Sequence, residues 1–453
     1  MDTGSTLSRR HLLAGAAAAG AAGALAQVPG VAEAASPGDA TKTEKRPAAT
    51  FFKESALNFQ MLFALGGAGY GASEVGEVLA CFDRIHGKGD TLRSVFDEFQ
   101  RLGRQIRKRG DAERAAGRKE SARLCYLRAA MYFDQALFYA LASKQPTRHT
   151  EGVVYNEMEG AFASAGALFQ PRWEPVRIPY YAGKMPGWFL SAGKGRRPTV
   201  ILNTGSDAQN IDMYVYGGAA ALERGWNALI FEGPGQGANL FLRSQVFTPD
   251  WGKVVTPVVS FLRRHPQVDK RRISLVGQSF GGYLTARAAA TEHRLAGLVT
   301  DPGVHDCFVS WSDNLKSLLP VFNSGAKDEF NRIWNQDVIG KANEYERVGL
   351  AKRLEIYGNG DDTYSKLKLA QQFQMDRATA RRITTPAAIL SPELEQFFPG
   401  QAKTVHDWIG KDRSTLIKFT IAEGGEYHCE PMAPQLRNER VFDWLETHAQ
   451  PRR

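Results

Sequence analysis

Residues 275–284 read LVGQSFGGYL, a serine set between glycines directly behind the apolar run Ile273–Val276. A G-x-S-x-G spacing lets a strand turn so sharply into a helix that the serine hydroxyl stands free above the sheet, and that is the geometry a nucleophile needs. Gly277 and Gly281 relieve crowding where strand and helix approach, and Gly282 adds room. A serine hydroxyl is a poor nucleophile until a base takes its proton, so Ser279 requires a histidine elsewhere in the chain. Nine are present. His11 falls in an N-terminal leader, and His86 and His149 lie in or beside a helical region. His265 and His293 flank helices at the wrong end of the sheet, and His406 and His448 read as helix-surface residues. His428, in AEGGEYHCEP directly after the last β-run, is the favoured base, with His305 in reserve. The third member is a carboxylate that fixes the imidazole tautomer and stabilises the imidazolium. The β-run AAIL at 387–390 exits into SPELEQFFPG, and counting back four residues from Pro399 gives Glu395, with Glu393 as the alternative. The oxyanion donors expected are the backbone N–H of Phe280 and that of Ser206, beside Gly205 and Asp207 in NTGSD.

The elements that must position these groups follow from periodicity. From Phe51 to about Ala142, segments such as SVFDEFQRLGRQIRKRG and SARLCYLRAAMYFDQALFYALA carry apolar residues at three- and four-residue spacing, which predicts a helical module over 51–172. After Trp173 the texture changes. VRIPYY and GWFLSAG read as a hairpin around Gly183, and then β-runs alternate with helical stretches through PTVILNTG, NALIFEGPGQG, RRISLVGQS, LAGLVTDPG, RRITTPAAIL and STLIKFTIAEG. Such alternation predicts an α/β domain over 173–453 with a doubly wound, mostly parallel sheet, whose ligands bind beyond the carboxyl ends of the strands. Residues 304–380 are too long for an ordinary strand-to-helix connection and read as a helical lid insertion. Asp301, His305, Trp311 and Trp334, on or after the strand leading into it, are candidate pocket residues for an apolar or aromatic substrate.

Composition bounds the partners. With 43% hydrophobic and 23% charged residues the chain suits a globular protein with a substantial core. The formal charge of +9 is diffuse, its densest clusters RQIRKRG and DKRRI lying beside acids or at element ends, which argues for a solvated basic face rather than a nucleic-acid surface. Cys81, Cys125, Cys307 and Cys429 show no C-x-x-C and no zinc spacing and read as buried or idle thiols, and acyl transfer by Ser279 and His428 requires neither a metal nor an organic cofactor. SRRHLL at 8–13, then AGAAAAGAAGALA and the small residues around Ala32–Ala34, resemble a twin-arginine export signal over 1–35, followed by a polar tether over 36–50. The mature chain is then expected outside the cytoplasmic membrane, with no membrane span of its own.

The elbow GQSFGG, the loop FEGPGQG, the stretch PELEQFFPGQ and the base loop GGEYHCEPM together resemble α/β-hydrolases in which a helical module precedes the catalytic domain. These include esterases related to the fermentation-respiration switch protein and carbon–carbon hydrolases of the dihydroxypseudooxynicotine type. SARLCYLRAAMYFDQALFYAL is similar to that module's helices, so the likeness runs from about 51 to 448. It implies a serine hydrolase with its pocket between module and sheet, acting on a small molecule and often dimeric. Departures are a glutamate in place of the commoner aspartate, Ser391 where a polar acid or glycine is common, and the export signal. The bond cleaved is left open between an ester or related acyl bond and a carbon–carbon bond in a β-diketone-like or acylphenol substrate. A non-catalytic binding protein on the same fold is the rival of a different class.

Overall fold

The computed structural model describes residues 50–449 except 182, 313, 314 and 316. The expected export signal and all but the last residue of the tether lie outside the described residues.

Five helices open the described chain: Ser55–Gly66, Val75–His86, Leu92–Ala115, Lys119–Phe138 and Arg148–Gly166. The third begins where the Thr91 hydroxyl accepts the Ser94 N–H at 3.1 Å, filling one of the donors that a helix start leaves open. Its Val95, Phe96, Phe99, Leu102 and Ile106 form one buried stripe. Gly103 sets how close the fourth helix comes, because a Cβ there would lie 2.8 Å from the Phe133 ring. The fourth helix is buried nearly all round, from Ala122 to Leu137, as expected of a helix enclosed by neighbours rather than facing solvent.

The rest of the chain builds an eight-stranded sheet, with β1 Glu174–Tyr180, β2 Gly183–Leu190, β3 Arg197–Asn203, β4 Asn227–Phe231, β5 Val268–Gln278, β6 Gly297–Asp301, β7 Ala387–Pro392 and β8 Ser414–Phe419. Their spatial order is β1-β2-β4-β3-β5-β6-β7-β8. The β1–β2 and β2–β4 pairs are antiparallel and every other pair is parallel. Every residue of β4 and β6 is buried, the signature of strands covered on both faces by crossover helices. This is the α/β-hydrolase architecture with a helical N-terminal region that the motifs imply.

Between β6 and β7 the chain runs through a series of short helices, from Val309–Ser312 to Arg377–Arg381. The neck of this excursion is closed by a bridge between Asp306 and Gln374, with the Cys307 N–H on the Phe373 carbonyl at 3.0 Å and the Met375 N–H on that of His305 at 2.7 Å. Among the described residues no helix is long and apolar enough to cross a membrane, and the four cysteines are buried, free thiols.

Candidate active site

Strand β5 ends at Gln278 and a helix starts at Phe280, so Ser279 makes the whole turn by itself, at φ 59° and ψ −128°. A non-glycine residue with this backbone costs of order 1–3 kcal/mol and persists only where its surroundings over-determine it. The glycines supply that. A Cβ on Gly277 would meet the Gly281 carbonyl oxygen at 2.1 Å, one on Gly281 would meet the Asn203 and Thr204 carbonyl oxygens at 2.8 Å, and one on Gly282 would meet that of Pro302 at 2.0 Å. These neighbours are backbone atoms that cannot swing aside. Gly277→Ala is therefore expected to lower stability by about 3 kcal/mol, measured as a lower urea midpoint at unchanged slope.

The histidine and the acid arrive from two loops at the same sheet edge. The loop after β7 and the loop after β8 are zipped together by a parallel bridge between Leu394 and Tyr427. The His428 N–H donates to Gln396 Oε1 at 3.0 Å, and the Phe397 ring packs edge-on against the imidazole at 4.7 Å. His428 Nε2 lies 2.9 Å from Ser279 Oγ, and Nδ1 lies 2.9 and 2.8 Å from the two Glu395 carboxylate oxygens. Glu395 Oε1 also accepts the Phe397 and Phe398 N–H groups at 2.9 and 3.0 Å. His428 and Glu395 side chains are only 6% and 7% exposed, so their interaction is little screened by solvent. Glu393 is turned the other way, its Oε2 accepting the Ile421 N–H at 2.9 Å.

The turn after β3 comes down onto the elbow. A Cβ on Gly205 would lie 2.8 Å from Ser279 Cβ and 3.0 Å from the Phe280 nitrogen, so no residue with a side chain fits there. This packing brings Ser206 and Phe280 to the border of one cavity, which Ser279 and His428 also line. The Ser206 hydroxyl donates to Asp207 Oδ2 at 2.7 Å.

The cavity measures about 170 Å³. Its walls come from the N-terminal helices (Phe59, Phe63, Asp134, Phe138), from the sheet edge, and from the excursion after β6 (Trp311, Tyr345, Arg353). The resemblance puts the pocket between module and sheet, but sequence reasoning names none of the module's lining residues and misses Arg353. Periodicity marks Phe59 and Phe138 only as apolar, and nothing local tells a residue that packs inside a module from one that faces a neighbouring sheet. Arg353 lies 4.0 Å over the Trp311 ring and donates to Ser310 Oγ at 3.0 Å. Burial holds its guanidinium down to about 10. Asp134 and Asp212, both in the cavity wall, are raised by burial, Asp212 to about 7 and Asp134 well above the carboxylate range with Asp212 adding to the rise.

Three of the four expected pocket residues are elsewhere. Asp301 is fully buried and paired with Arg437 at 2.8 Å, which turns its carboxylate into the interior rather than into the cavity wall. His305 belongs to the neck, its ring 4.6 Å from that of Trp408. Trp334 is only 2% exposed and packs on Phe330, filling the interior of the helical excursion. Trp311 does line the cavity.

A mostly parallel sheet with a serine at the β5 elbow and a histidine after the last strand defines a class of hydrolytic enzymes. The chain belongs to the alpha/beta hydrolase family, whose model matches residues 204–444, and it is a hydrolase. Over 87% of its length it is 27% identical to "Hydrolase LUC6" of Fusarium sp, covering 97% of that protein. It is 25% identical to "20-hydroxy-prefusarin hydrolase FUS2" of Gibberella moniliformis, over 87% of this chain and 97% of the other. Among solved structures, 2,6-dihydroxy-pseudo-oxynicotine hydrolase superposes with a TM-score of 0.61 at 20% identity, over 85% of this chain and 95% of that one, a likeness of fold.

Proposed function

We propose that the protein cleaves an ester or related acyl bond of a small, largely apolar substrate by nucleophilic catalysis. Ser279 attacks the carbonyl carbon while His428 Nε2 takes the hydroxyl proton, and Glu395 holds the imidazole with Nδ1 protonated and balances the charge that forms. The tetrahedral oxyanion lies between the Phe280 and Ser206 amides. The same histidine then gives its proton to the leaving group, and water attacks the acyl-enzyme by the reverse sequence. The observation that carries this reading is the unbroken contact chain from Ser279 Oγ through His428 to Glu395, at 2.9 and 2.8 Å, on a serine held at positive φ.

One feature supports a second reading, hydrolysis of a carbon–carbon bond beside a ketone. Burial, with the Asp212 charge adding to it, holds Asp134 well above the carboxylate range in the cavity wall, and a neutral carboxyl donates to an enol or enolate oxygen where an ionised one repels it. A panel of aryl esters and acylphenol ketones separates the two. Ester turnover unaffected by Asp134→Asn, with no ketone cleavage, is the result expected of the first reading; ketone cleavage that Asp134→Asn lowers roughly tenfold supports the second.

The paired Arg9 and Arg10 support export by the twin-arginine route. Fusion of residues 1–50 to a reporter is expected to export it, and Arg9→Lys together with Arg10→Lys is expected to retain it in the cytoplasm.

A further inference from the structure

Behind the histidine loop lies a group of charged side chains for which the proposed reaction has no use. Asp301 ends β6, Arg437 lies on the helix Pro434–His448, Glu430 follows His428 by two residues, and all three are 0% exposed. Arg437 Nε donates to Asp301 Oδ2 at 2.8 Å, and its Nη1 donates to the Tyr216 carbonyl at 2.7 Å. One cation therefore faces two carboxyl groups in a buried space. An unbalanced buried charge costs several kcal/mol, so one of the acids must carry a proton.

The hydrogen-bond pattern says which contact holds it. Asp301 Oδ1, both Glu430 carboxyl oxygens and Arg437 Nη2 lack any ordinary partner, and the Glu430 carboxyl lies within hydrogen-bonding reach of that of Asp301, as happens when two carboxyl oxygens face each other and a single hydrogen between them satisfies both. Glu430 is held well above the usual carboxylate range, by burial first and by the Asp301 charge next. The other ionisable groups around the pair are Cys429, Tyr216 and Glu395. Burial keeps Cys429 and Tyr216 well above their usual ranges and hence neutral, and the Glu395 charge again favours the proton on Glu430.

The same residues tie the nucleophile to the histidine. The Asp301 carbonyl accepts the Ser279 N–H at 2.5 Å and lies 3.5 Å from the Cys429 sulfur. Cys429 and Glu430 hold positive φ angles of 61° and 48°, a turn that costs roughly 1–2 kcal/mol per residue and needs external support. Of the two residues, Glu430 alone carries a carboxyl group, and it lies in the field of Asp301 and Arg437.

We propose that Asp301 and Glu430 share one proton, and that this carboxyl pair, neutralised by Arg437, is a latch that positions His428 over Ser279. The proposal rests on the reading of Ser279 and His428 as nucleophile and base. Glu430 is a positioning residue, acting through the turn that follows the histidine. Glutamine in its place offers an amide N–H where the shared proton was; alanine offers nothing.

The test compares wild type, Glu430→Gln and Glu430→Ala by rate of labelling with a fluorophosphonate probe, by kcat and KM on p-nitrophenyl acetate across pH, and by thermal unfolding. Alanine is expected to slow labelling and kcat roughly 20- to 100-fold with KM moved little, as for a catalytic group displaced by about 1 Å. Glutamine is expected to retain about half or more of the wild-type rate. Wild type is expected to lose activity toward alkaline pH as Glu430 gives up its proton, and Glu430→Gln to lack that limb. If the alanine variant fails to fold, the two pH profiles decide. Labelled wild type with glutamine as slow as alanine, alanine as fast as wild type, or the same alkaline limb in wild type and Glu430→Gln overturns the latch alone. Wild type that takes no label overturns the nucleophile reading, and the latch with it.

Discussion

Ser279→Ala is expected to lower kcat by roughly 10⁴-fold or more and to abolish fluorophosphonate labelling, with the fold retained. Alanine removes the only atom that can bond the acyl carbon and leaves the cavity walls and the elbow backbone as they are. The magnitude follows from the division of labour in such sites. Oxyanion donors and substrate binding survive the change and supply a residual rate over water, whereas the attack, the proton transfer and the acyl-enzyme act as one unit and vanish together. Circular dichroism and thermal unfolding close to wild type establish that the loss is chemical. Labelling of Ser279→Ala at the wild-type rate would place the nucleophile elsewhere.

Glu395→Gln has the second largest expected effect, a loss of roughly 10³- to 10⁴-fold in kcat with KM nearly unchanged. The argument is specific to this loop. Glu395 Oε1 accepts the Phe397 and Phe398 N–H groups, so in the variant the amide oxygen takes that place and the NH₂ group turns toward His428. An NH₂ facing Nδ1 makes Nδ1 an acceptor and puts the ring proton on Nε2, where it points at the serine and cannot take its hydrogen. A loss much smaller than tenfold would mean that the carboxylate merely packs. Glu395→Asp, which keeps the charge but shortens the reach by one methylene, is expected to fall between wild type and glutamine. Glu393→Gln is expected to leave kcat within about twofold, since Glu393 accepts the Ile421 N–H and faces away from the imidazole.

The chain itself specifies the strands and much of the site. β4 and β6, and the C-terminal parts of β3 and β5, are short apolar runs closed by glycine or a polar turn, as strands buried on both faces are. The elbow is equally local, because the backbone at Ser279 is possible only with glycines around it. The proximity of Ser279, Glu395 and His428, by contrast, is set by the strand order. β5, β7 and β8 run parallel, so the three loops that follow them open at one edge although 149 residues separate the serine from the histidine.

What the sequence could not disclose are relations between surfaces. Asp301 read as a pocket residue because it lies on the strand that leads into the 304–380 insertion; its place beneath the site depends on Arg437, 136 residues later. Trp334 and Trp311 are the same residue type on the same excursion, yet one fills its interior and the other faces the cavity. Local patterning records how apolar a position is and the period at which it recurs. Which neighbour covers it, and hence whether Phe59 and Phe138 line a substrate cavity or a helix interface, is fixed only when the N-terminal helices close over the sheet edge, because burial is a property of two surfaces and the sequence writes each of them separately.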